Sequence, residues 1–279
     1  MDLSNENVIQ VEKNGVRFLQ FKRLLEFSDI VNHALTIGTE VNFKTEGVNG
    51  SVLTKDVFDK NMGDYKKTCK AIGSDFSHVV RPIQRHTDEV KSVKEKYNLD
   101  FPDLDIKRYV NTDGLVTDKK NILLTTTNAD CISMLFFDPI KKIIGNVHSG
   151  WRGTYQQICV KTVQKMQAKY GCNVSDIICL ISPSIRKCHF EVKKDVKDMF
   201  LNQFGKMEEI NNIIEEKEAN MVWCIDTVLI NKIILKEAGL QDKNIIDAGI
   251  CTICNSDLLH SNRVEKENYG VNAAFIELR

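Results

Sequence analysis

Short apolar runs separated by a turn predict a β-hairpin near the start of the chain. Residues 8–11 and 16–21 are rich in β-branched and aromatic side chains, and Lys13-Asn14-Gly15 lies between them. Asn-Gly between two such runs is a strong hairpin signal, because both residues tolerate positive φ. The hairpin is therefore expected at about 8–21. Apolar positions at helical spacing then predict a helix from Asp56 to Ile72, ended by Gly73.

The middle of the chain reads as strands followed by a long helix. Three short apolar runs predict strands at 122–126, 132–137 and 142–147, and Asp138-Pro139 separates the second from the third. The next apolar positions fit one helix over 154–170, with Thr154 as its N-cap and Gly171 at its end.

The last third continues the mixture of strands and helices. The remaining predicted elements are a strand at 177–181, a helix at 195–204 stopped by Gly205, a helix from Asp226 to about Ala238, a strand at 245–250 and a final strand at 272–278. Strands and helices alternate, yet hairpins also occur, which favours the α+β class over a doubly wound sheet. We expect a mixed α/β layered sandwich in which mixed sheets pack with helices. No linker or repeat interrupts the chain, so we expect one domain over 1–279.

Charge and cysteine content narrow the possible partners and compartment. Lys and Arg number 38, and Asp and Glu also number 38. This balance argues against nucleic acid or an anionic membrane as partner, since both attract a basic surplus. No apolar run reaches the roughly 20 residues of a membrane span, and no signal peptide is recognisable. We therefore expect a cytoplasmic protein whose nine cysteines are thiols.

Three segments combine a metal-type ligand with polar, turn-rich surroundings. They contain His86, Cys131 and His148. A thiolate and two imidazoles suit Zn²⁺, and three protein ligands leave a fourth position for water or substrate. Each residue also has a simpler interpretation, since a cysteine at a strand start is more often packed than functional. Cys251 and Cys254 form a single C-x-x-C without a second one, which favours packing for that pair.

The turn after His148 has the features of an anion site. Gly150 and Gly153 flank Arg152 just before the predicted helix at Thr154. Glycine permits close backbone approach, a helix N-terminus attracts anions, and arginine donates a fork of hydrogen bonds. The alternative is a tight strand-to-helix corner with a packed indole. Dinucleotide-binding and P-loop glycine motifs do not occur in the sequence.

Several motifs, in order, resemble the laccase-domain or "multicopper polyphenol oxidase" family of YfiH type. The matching segments are Gln84-Arg85-His86, Asp113-Gly114-Leu115-Val116-Thr117, Ala129-Asp130-Cys131, His148-Ser149-Gly150-Trp151-Arg152-Gly153, Ser182-Pro183-Ser184-Ile185 with Cys188 and Phe190-Glu191-Val192, Cys251-Thr252, and Ser261-Asn262-Arg263. The resemblance covers most of the chain, from about residue 30 to the end. The resemblance implies a zinc-dependent purine nucleoside phosphorylase that converts adenosine, inosine or guanosine and phosphate to free base and ribose 1-phosphate. Adenosine deaminase and methylthioadenosine phosphorylase activities are also implied.

The resemblance also assigns site residues. His86, Cys131 and His148 match the family's zinc ligands. Candidate substrate or phosphate contacts are Arg152, Asn61, Ser149 and Arg263, and candidate proton-transfer groups are Asp130 and Glu191. Asp130 is equally interpretable as a structural residue. The departures from the family pattern are Met62, where the family usually has arginine after Asn61, and His189, which replaces a frequent cysteine. Gly270-Val271 also stands where the family often has Gly-Arg, and residues 42–50 match its Arg-x-Gly-Gly turn poorly.

Three other functions compete with this one. A multicopper oxidase needs a blue-copper site and a multi-histidine cluster, and six histidines with two already assigned do not fill both. A metal-free thiol hydrolase or deamidase would use Cys131 as nucleophile and His148 as base. A non-enzymatic binding protein would use zinc only for stability. The expected partners are a small purine nucleoside and phosphate, and the sequence leaves monomer and homodimer open.

Overall fold

The computed structural model describes residues 1–46, 53–95, 109–217 and 221–279. The strands of this part are β1 Val8–Lys13, β2 Val16–Phe21, β3 Val31–Ile37, β4 Val79–Val80, β5 Val90–Ser92, β6 Gly114–Thr117, β7 Leu123–Asn128, β8 Ile132–Asp138, β9 Ile143–Ser149, β10 Ile178–Ile181, β11 Glu191–Val192, β12 Ile214–Lys217, β13 Val222–Ile225, β14 Ile245–Asp247 and β15 Asn272–Leu278. The α-helices are α1 Lys22–Leu25, α2 Lys55–Ile72, α3 Trp151–Tyr155, α4 Ile158–Tyr170, α5 Lys194–Phe204, α6 Ile210–Ile213, α7 Thr227–Glu237 and α8 Asn262–Glu265.

Two six-stranded sheets lie face to face at the centre of the molecule. The first sheet has the order β1-β2-β3-β15-β7-β4, and the second has the order β14-β10-β8-β9-β6-β5. Leu124 and Ile276 of the first sheet and Leu135 and Ile144 of the second belong to the buried cluster between them. Strands with both faces covered bury every residue, as β8 and β9 do. Burial of this apolar surface, at about 25 cal/mol per Å², is the main force that joins the sheets.

Helices cover the outer faces of both sheets. α2 packs on the first sheet, where the Tyr65 ring meets Phe43 edge-on at 5.0 Å and Phe43 meets Phe275 at 5.7 Å. α4, α5 and α7 cover the second sheet through a separate apolar cluster. A three-stranded sheet of order β11-β13-β12 extends beside these helices. The result is a layered α+β structure, which confirms the predicted fold class.

A buried amide crosses the interface between the two sheets. Asn146 of β9 is fully buried, and its Nδ2 donates to the carbonyls of Leu124 (2.9 Å) and Ala274 (2.7 Å). Its Oδ1 accepts a hydrogen bond from Thr126 Oγ1 at 2.6 Å. The amide of one sheet is therefore bonded to two strands of the other, β7 and β15.

Most predicted elements are confirmed, and one helix is wrong. The hairpin pairs Val8 with Phe21 through to Lys13 with Val16, and Gly73 ends α2 in the left-handed conformation. The single helix expected over 154–170 is two helices, broken at Gln157 with φ 58°. Thr154 is not an N-cap, because α3 already begins at Trp151 and Thr154 N donates to Gly150 O.

Two strands also differ from the expectation. The strand expected over 245–250 is shorter, Ile245–Asp247, and the fully buried β3 had no alternating pattern to predict it. Among the residues that the structure describes, no helix combines the length and apolarity needed to cross a membrane.

Candidate metal centre

Three ligand-type side chains meet where the two sheets join. His86 follows β4 of the first sheet, Cys131 lies in the turn between β7 and β8, and His148 lies on β9 of the second sheet. Their donor atoms all lie within 4.8 Å of one another, and Cys131 Sγ is 3.8 Å from His86 Nε2. The structure therefore brings together the three residues predicted as metal ligands.

Asp113 organises both histidines. Its Oδ1 accepts hydrogen bonds from His148 Nδ1 (2.8 Å) and from the backbone N–H of His86 (3.1 Å). Its Oδ2 accepts from the N–H groups of Arg85 (3.1 Å) and Thr87 (2.8 Å). Because Nδ1 of His148 is engaged, Nε2 is the ring nitrogen left for a metal, as in carboxylate–histidine–zinc sites. Asp113 was not predicted to have a role at the site. The sequence did contain one sign of its importance, since Asp113 is the acidic residue directly before β6 and opens a motif that matches the family.

The charges of the three groups stabilise one another. Burial would raise the pKa of the Cys131 thiol, but the charge and hydrogen bonds of His148 and His86 lower it to about 6. Burial would lower the pKa of His148, but the Cys131 thiolate and the Asp113 carboxylate raise it to about 10. Burial would likewise raise the pKa of Asp113, yet hydrogen bonds from His148 and Thr87 lower it to about 2. Cys131 is thus a thiolate at neutral pH, which is the form that binds metals and attacks electrophiles.

The backbone around the site is shaped for close contact. His86 (φ 58°) and Asp130 (φ 81°) adopt the left-handed conformation, which is uncommon for residues other than glycine. The backbone N–H of His86 is held there by Asp113. A Cβ on Gly150 would lie 2.6 Å from His86 Cδ2 and 3.1 Å from Cys131 Sγ. Gly150 is therefore required by the proximity of two ligands.

The three donors lie on a cavity of about 730 Å³. This volume falls within the ~300–1,000 Å³ typical of small-molecule sites. Its charged lining residues, apart from the ligands, are four cations and two acids: Lys44, Arg81, Arg85, Arg263, Glu46 and Asp130. Three aromatic side chains, Trp151, Phe190 and Tyr269, also line it. The cavity thus offers apolar surfaces and an excess of positive charge beside the donor set.

Three further predicted residues, Asp130, Ser149 and Arg263, line this cavity. Both carboxylate oxygens of Asp130 are engaged, by Thr252 Oγ1 at 2.6 Å and by the backbone N–H of Arg263 at 2.9 Å. Ser149 is buried and shares a hydrogen bond with Thr154 at 3.1 Å. The contacts of Asp130 favour its structural interpretation, while those of Arg263 leave its side chain on the cavity.

The other three predicted residues lie outside the lining of the cavity. Glu191 is exposed and forms an ion pair with Lys217. Asn61 is buried in α2 and donates to the carbonyl of the cavity residue Lys44 at 2.6 Å. Arg152 is exposed, with its guanidinium carbon 4.3 Å from the centre of the Trp151 ring. Roles for these residues stay predictions.

Three of the other four histidines are dispersed over the described part of the chain, and the fourth, His189, lies outside the cavity lining. His33 Nε2 accepts from the N–H of Phe21 at 2.7 Å, His78 pairs with Glu277, and His260 lies between Glu265 and the carbonyl of Val41. Among the described residues, which include all six histidines, no candidate metal group contains three imidazoles. A multi-histidine copper cluster therefore has no ligands here.

Several known proteins are similar to this chain in sequence or in fold. The human purine nucleoside phosphorylase LACC1 is 30% identical over 171 residues, which are 60% of this chain and 38% of that protein. Adenosine deaminase RL5, from an unknown prokaryotic organism, is 27% identical over 202 residues, or 72% of this chain and 74% of that protein. The crystal structure of YlmD from Geobacillus stearothermophilus superposes with a TM-score of 0.81 at 22% identity and covers 100% of both chains, which shows a common fold. A family model described as multi-copper polyphenol oxidoreductase laccase matches residues 38–279, and the chain therefore belongs to this family.

Proposed function

We propose that this protein is a zinc-dependent purine nucleoside phosphorylase that also deaminates adenosine. The observation that carries the proposal is the convergence of His86, Cys131 and His148 on one open cavity. The names of the relatives, purine nucleoside phosphorylase and adenosine deaminase, support the substrate class. The chain spans well under half of the human relative, so its own activity is proposed here from the site.

The donor set fits zinc. Two ligands at about 2.3 and 2.0–2.1 Å in a tetrahedron lie roughly 3.6 Å apart, close to the 3.8 Å between Cys131 Sγ and His86 Nε2. Three protein ligands leave a fourth position toward the cavity, as in catalytic sites. When bound, zinc supplies Lewis acidity, either to a substrate oxygen or to a coordinated water.

The chain's own residues would bind both halves of the substrate pair. The excess of cations over acids in the lining attracts phosphate. Arg85 is paired with Glu46. Arg263, whose Nη2 donates to the Glu191 carbonyl at 3.0 Å, is therefore the better candidate to donate its other N–H groups to phosphate oxygens. The aromatic residues provide surfaces for a purine ring, which stacks favourably on aromatic side chains. Lys44 lies 3.8 Å from the centre of the Tyr269 ring, so positive charge and an aromatic face occur together in the cavity wall.

Asp113 and Asp130 would fix the geometry. Asp113 holds the His148 ring and the His86 backbone, and so sets the direction of the His148 imidazole and the position of the His86 backbone. Asp130 holds the backbone of Arg263 next to Cys131, and so positions a cation beside the metal ligand. Donors held in place in this way need little reorganisation when charge develops in the transition state.

The test is to incubate zinc-loaded protein with adenosine, with and without phosphate, and to separate the products by chromatography. Phosphate-dependent adenine and ribose 1-phosphate identify the phosphorylase, and phosphate-independent inosine identifies the deaminase. Cys131→Ala should abolish both, whereas Cys172→Ala, which removes a buried thiol outside the cavity, should retain them. No conversion of any purine nucleoside, or full activity in Cys131→Ala, would contradict the proposal.

A second candidate function rests on the same three side chains. Asp113, His148 and Cys131 are linked as carboxylate, imidazole and thiolate, the arrangement of a Cys–His–Asp hydrolase. A metal-free thiol enzyme would be inactivated by iodoacetamide and unaffected by a chelator. A zinc enzyme would lose activity on chelation and regain it on addition of zinc.

A further inference from the structure

A second group of donor atoms lies outside the cavity. Cys188, His189, Cys251 and Cys254 place one donor atom each within 4.8 Å of all the others. None of the four lines the cavity described above. The sequence favoured packing for Cys251 and Cys254 because it contains no second C-x-x-C. The structure supplies the missing half from a different segment, Cys188-His189.

Sheet topology explains why the two segments meet. β10 and β14 are parallel neighbours, so the segments that follow them leave the same edge of the second sheet. The pairing continues past both strands: Ser184 N donates to Ile250 O at 3.2 Å, and Thr252 N donates to Ser184 O at 3.1 Å. Cys188-His189 follows one segment and Cys251 to Cys254 follows the other, so the fold fixes their proximity.

The distances within the group match a tetrahedral metal. In such a site sulfurs at about 2.3 Å from the ion lie roughly 3.8 Å apart, and a sulfur and a nitrogen lie roughly 3.6 Å apart. Cys188 Sγ and Cys251 Sγ are 3.7 Å apart. His189 Nδ1 lies 3.7 Å from Cys251 Sγ, 3.6 Å from Cys254 Sγ and 3.1 Å from Cys188 Sγ. A pair of cysteines poised to form a disulfide would explain the one contact between two sulfurs. It would not explain why a single imidazole nitrogen lies at these distances from three sulfurs.

The surroundings of Cys251 suit a thiolate. The sulfur of Cys251 accepts hydrogen bonds from backbone N–H groups of Arg186 and of the C-x-x-C turn at Ile253 and Cys254. The charge of Arg186 acts on Cys251, and the charge of Lys217 acts on Cys188. Three thiolates around a divalent ion carry one excess negative charge, and the cations that act on these cysteines, Arg186 and Lys217, also pair with Asp247 and Glu191.

We propose that Cys188, His189, Cys251 and Cys254 bind a second zinc ion in a closed, four-ligand site. Four protein ligands leave no open position, which is characteristic of structural zinc. The site would clamp the segment after β10 to the segment after β14. Thr252, inside the C-x-x-C turn, donates to Asp130 at 2.6 Å, and Asp130 precedes Cys131. The clamp would therefore also support the cavity wall beside the first site.

Metal analysis of the purified full chain tests the proposal independently of any activity. In the Cys131→Ala background, which removes a ligand of the first centre, we expect about one zinc ion per chain under reducing conditions. Cobalt substitution should give the intense spectrum of a tetrahedral, thiolate-rich site. Adding Cys254→Ser and Cys188→Ser, both at exposed cysteines, should abolish it, whereas adding Cys172→Ser should not. His189→Cys should retain the metal with a shifted cobalt spectrum.

Other outcomes would overturn the proposal. One is a folded Cys131→Ala chain that binds no zinc or cobalt. Another is a Cys188–Cys251 disulfide found by peptide mass spectrometry of protein purified under reducing conditions. The same test can be made without the Cys131 substitution. The wild type should bind about one zinc ion more per chain than the Cys188→Ser, Cys254→Ser double variant, and an equal zinc content in the two proteins would refute the second site.

Discussion

Gly150→Ala should damage the metal centre without damaging the fold. Gly150 has φ −68° and ψ 179°, a conformation that alanine adopts freely, so the backbone has no reason to move. The added Cβ would lie 2.6 Å from His86 Cδ2, whereas carbon atoms in contact are normally about 3.5–4.0 Å apart. The His86 ring must therefore retreat by about 1 Å. Metal–ligand distances are held within about 0.2 Å, so this retreat removes one ligand of three.

We expect the loss of His86 as a ligand to reduce zinc affinity by about 10²-fold or more. Mutating a residue that only hydrogen-bonds to a ligand already reduces metal affinity by about 10–100-fold. Competition with a chromogenic chelator measures the affinity, and thermal unfolding of the metal-free protein measures the fold. Gly63→Ala is the matched control, because its Cβ meets nothing within 4 Å, and alanine stabilises a helix interior by about 1 kcal/mol. Wild-type zinc affinity in Gly150→Ala would refute the argument.

Three further predictions concern positioning and stability. Asp113→Asn should weaken zinc binding by about 10–100-fold, because His148 loses its carboxylate partner at 2.8 Å; unchanged affinity in chelator competition would contradict this. Burial lowers the pKa of His33 from 6.5 to about 3, so the unfolded chain binds a proton that the folded chain does not, and stability falls as pH drops from 6.5 toward 3. Urea unfolding should show a loss of about 2–3 kcal/mol between neutral pH and about pH 4.5, and His33→Gln should remove most of that difference. Asp226→Ala removes the N-cap oxygen that accepts from the Leu229 N–H at 2.8 Å, and it should lower the free energy of unfolding by about 1 kcal/mol at neutral pH. An unchanged free energy of unfolding would show that this cap does not stabilise the helix.

Local signals predicted those elements whose boundaries the sequence marks. Asn14-Gly15 predicted the β1–β2 turn, and Gly73 and Asp226 predicted a helix end and a helix start, since each depends on neighbours a few residues away. β3 gave no such signal, because the buried polar residues Asn32, His33 and Thr36 interrupt the apolar run that would mark a buried strand. The break at Gln157 was not predictable either, because glutamine is an ordinary helix residue and no glycine or proline stands beside it.

The residues of the candidate site likewise divide into those that local sequence marks and those that depend on distant contacts. The ligand types His86, Cys131 and His148 were predictable from their polar, turn-rich segments and from the family resemblance. Asp113 was not, because its importance lies in hydrogen bonds to residues 27 to 35 positions away. Arg152 illustrates the converse: the sequence places it in a glycine-flanked turn, yet the side chain lies over Trp151 instead of on the cavity lining. Sequence spacing specifies which residues are near the site and not which way they point.

The amide of Asn146 gives the sandwich a fixed alignment that apolar packing alone would not impose. Leucine side chains tolerate a small slip of one sheet over the other, but a slip would leave the amide and two carbonyls without partners, at about 1–3 kcal/mol each. His86 lies in the connection between β4 of the first sheet and β5 of the second, and His148 lies on β9 of the second sheet. The distance between the two imidazoles therefore depends in part on how the two sheets are aligned. With an apolar residue at position 146 the protein would still fold, but the distances between the metal ligands would vary from one molecule to another.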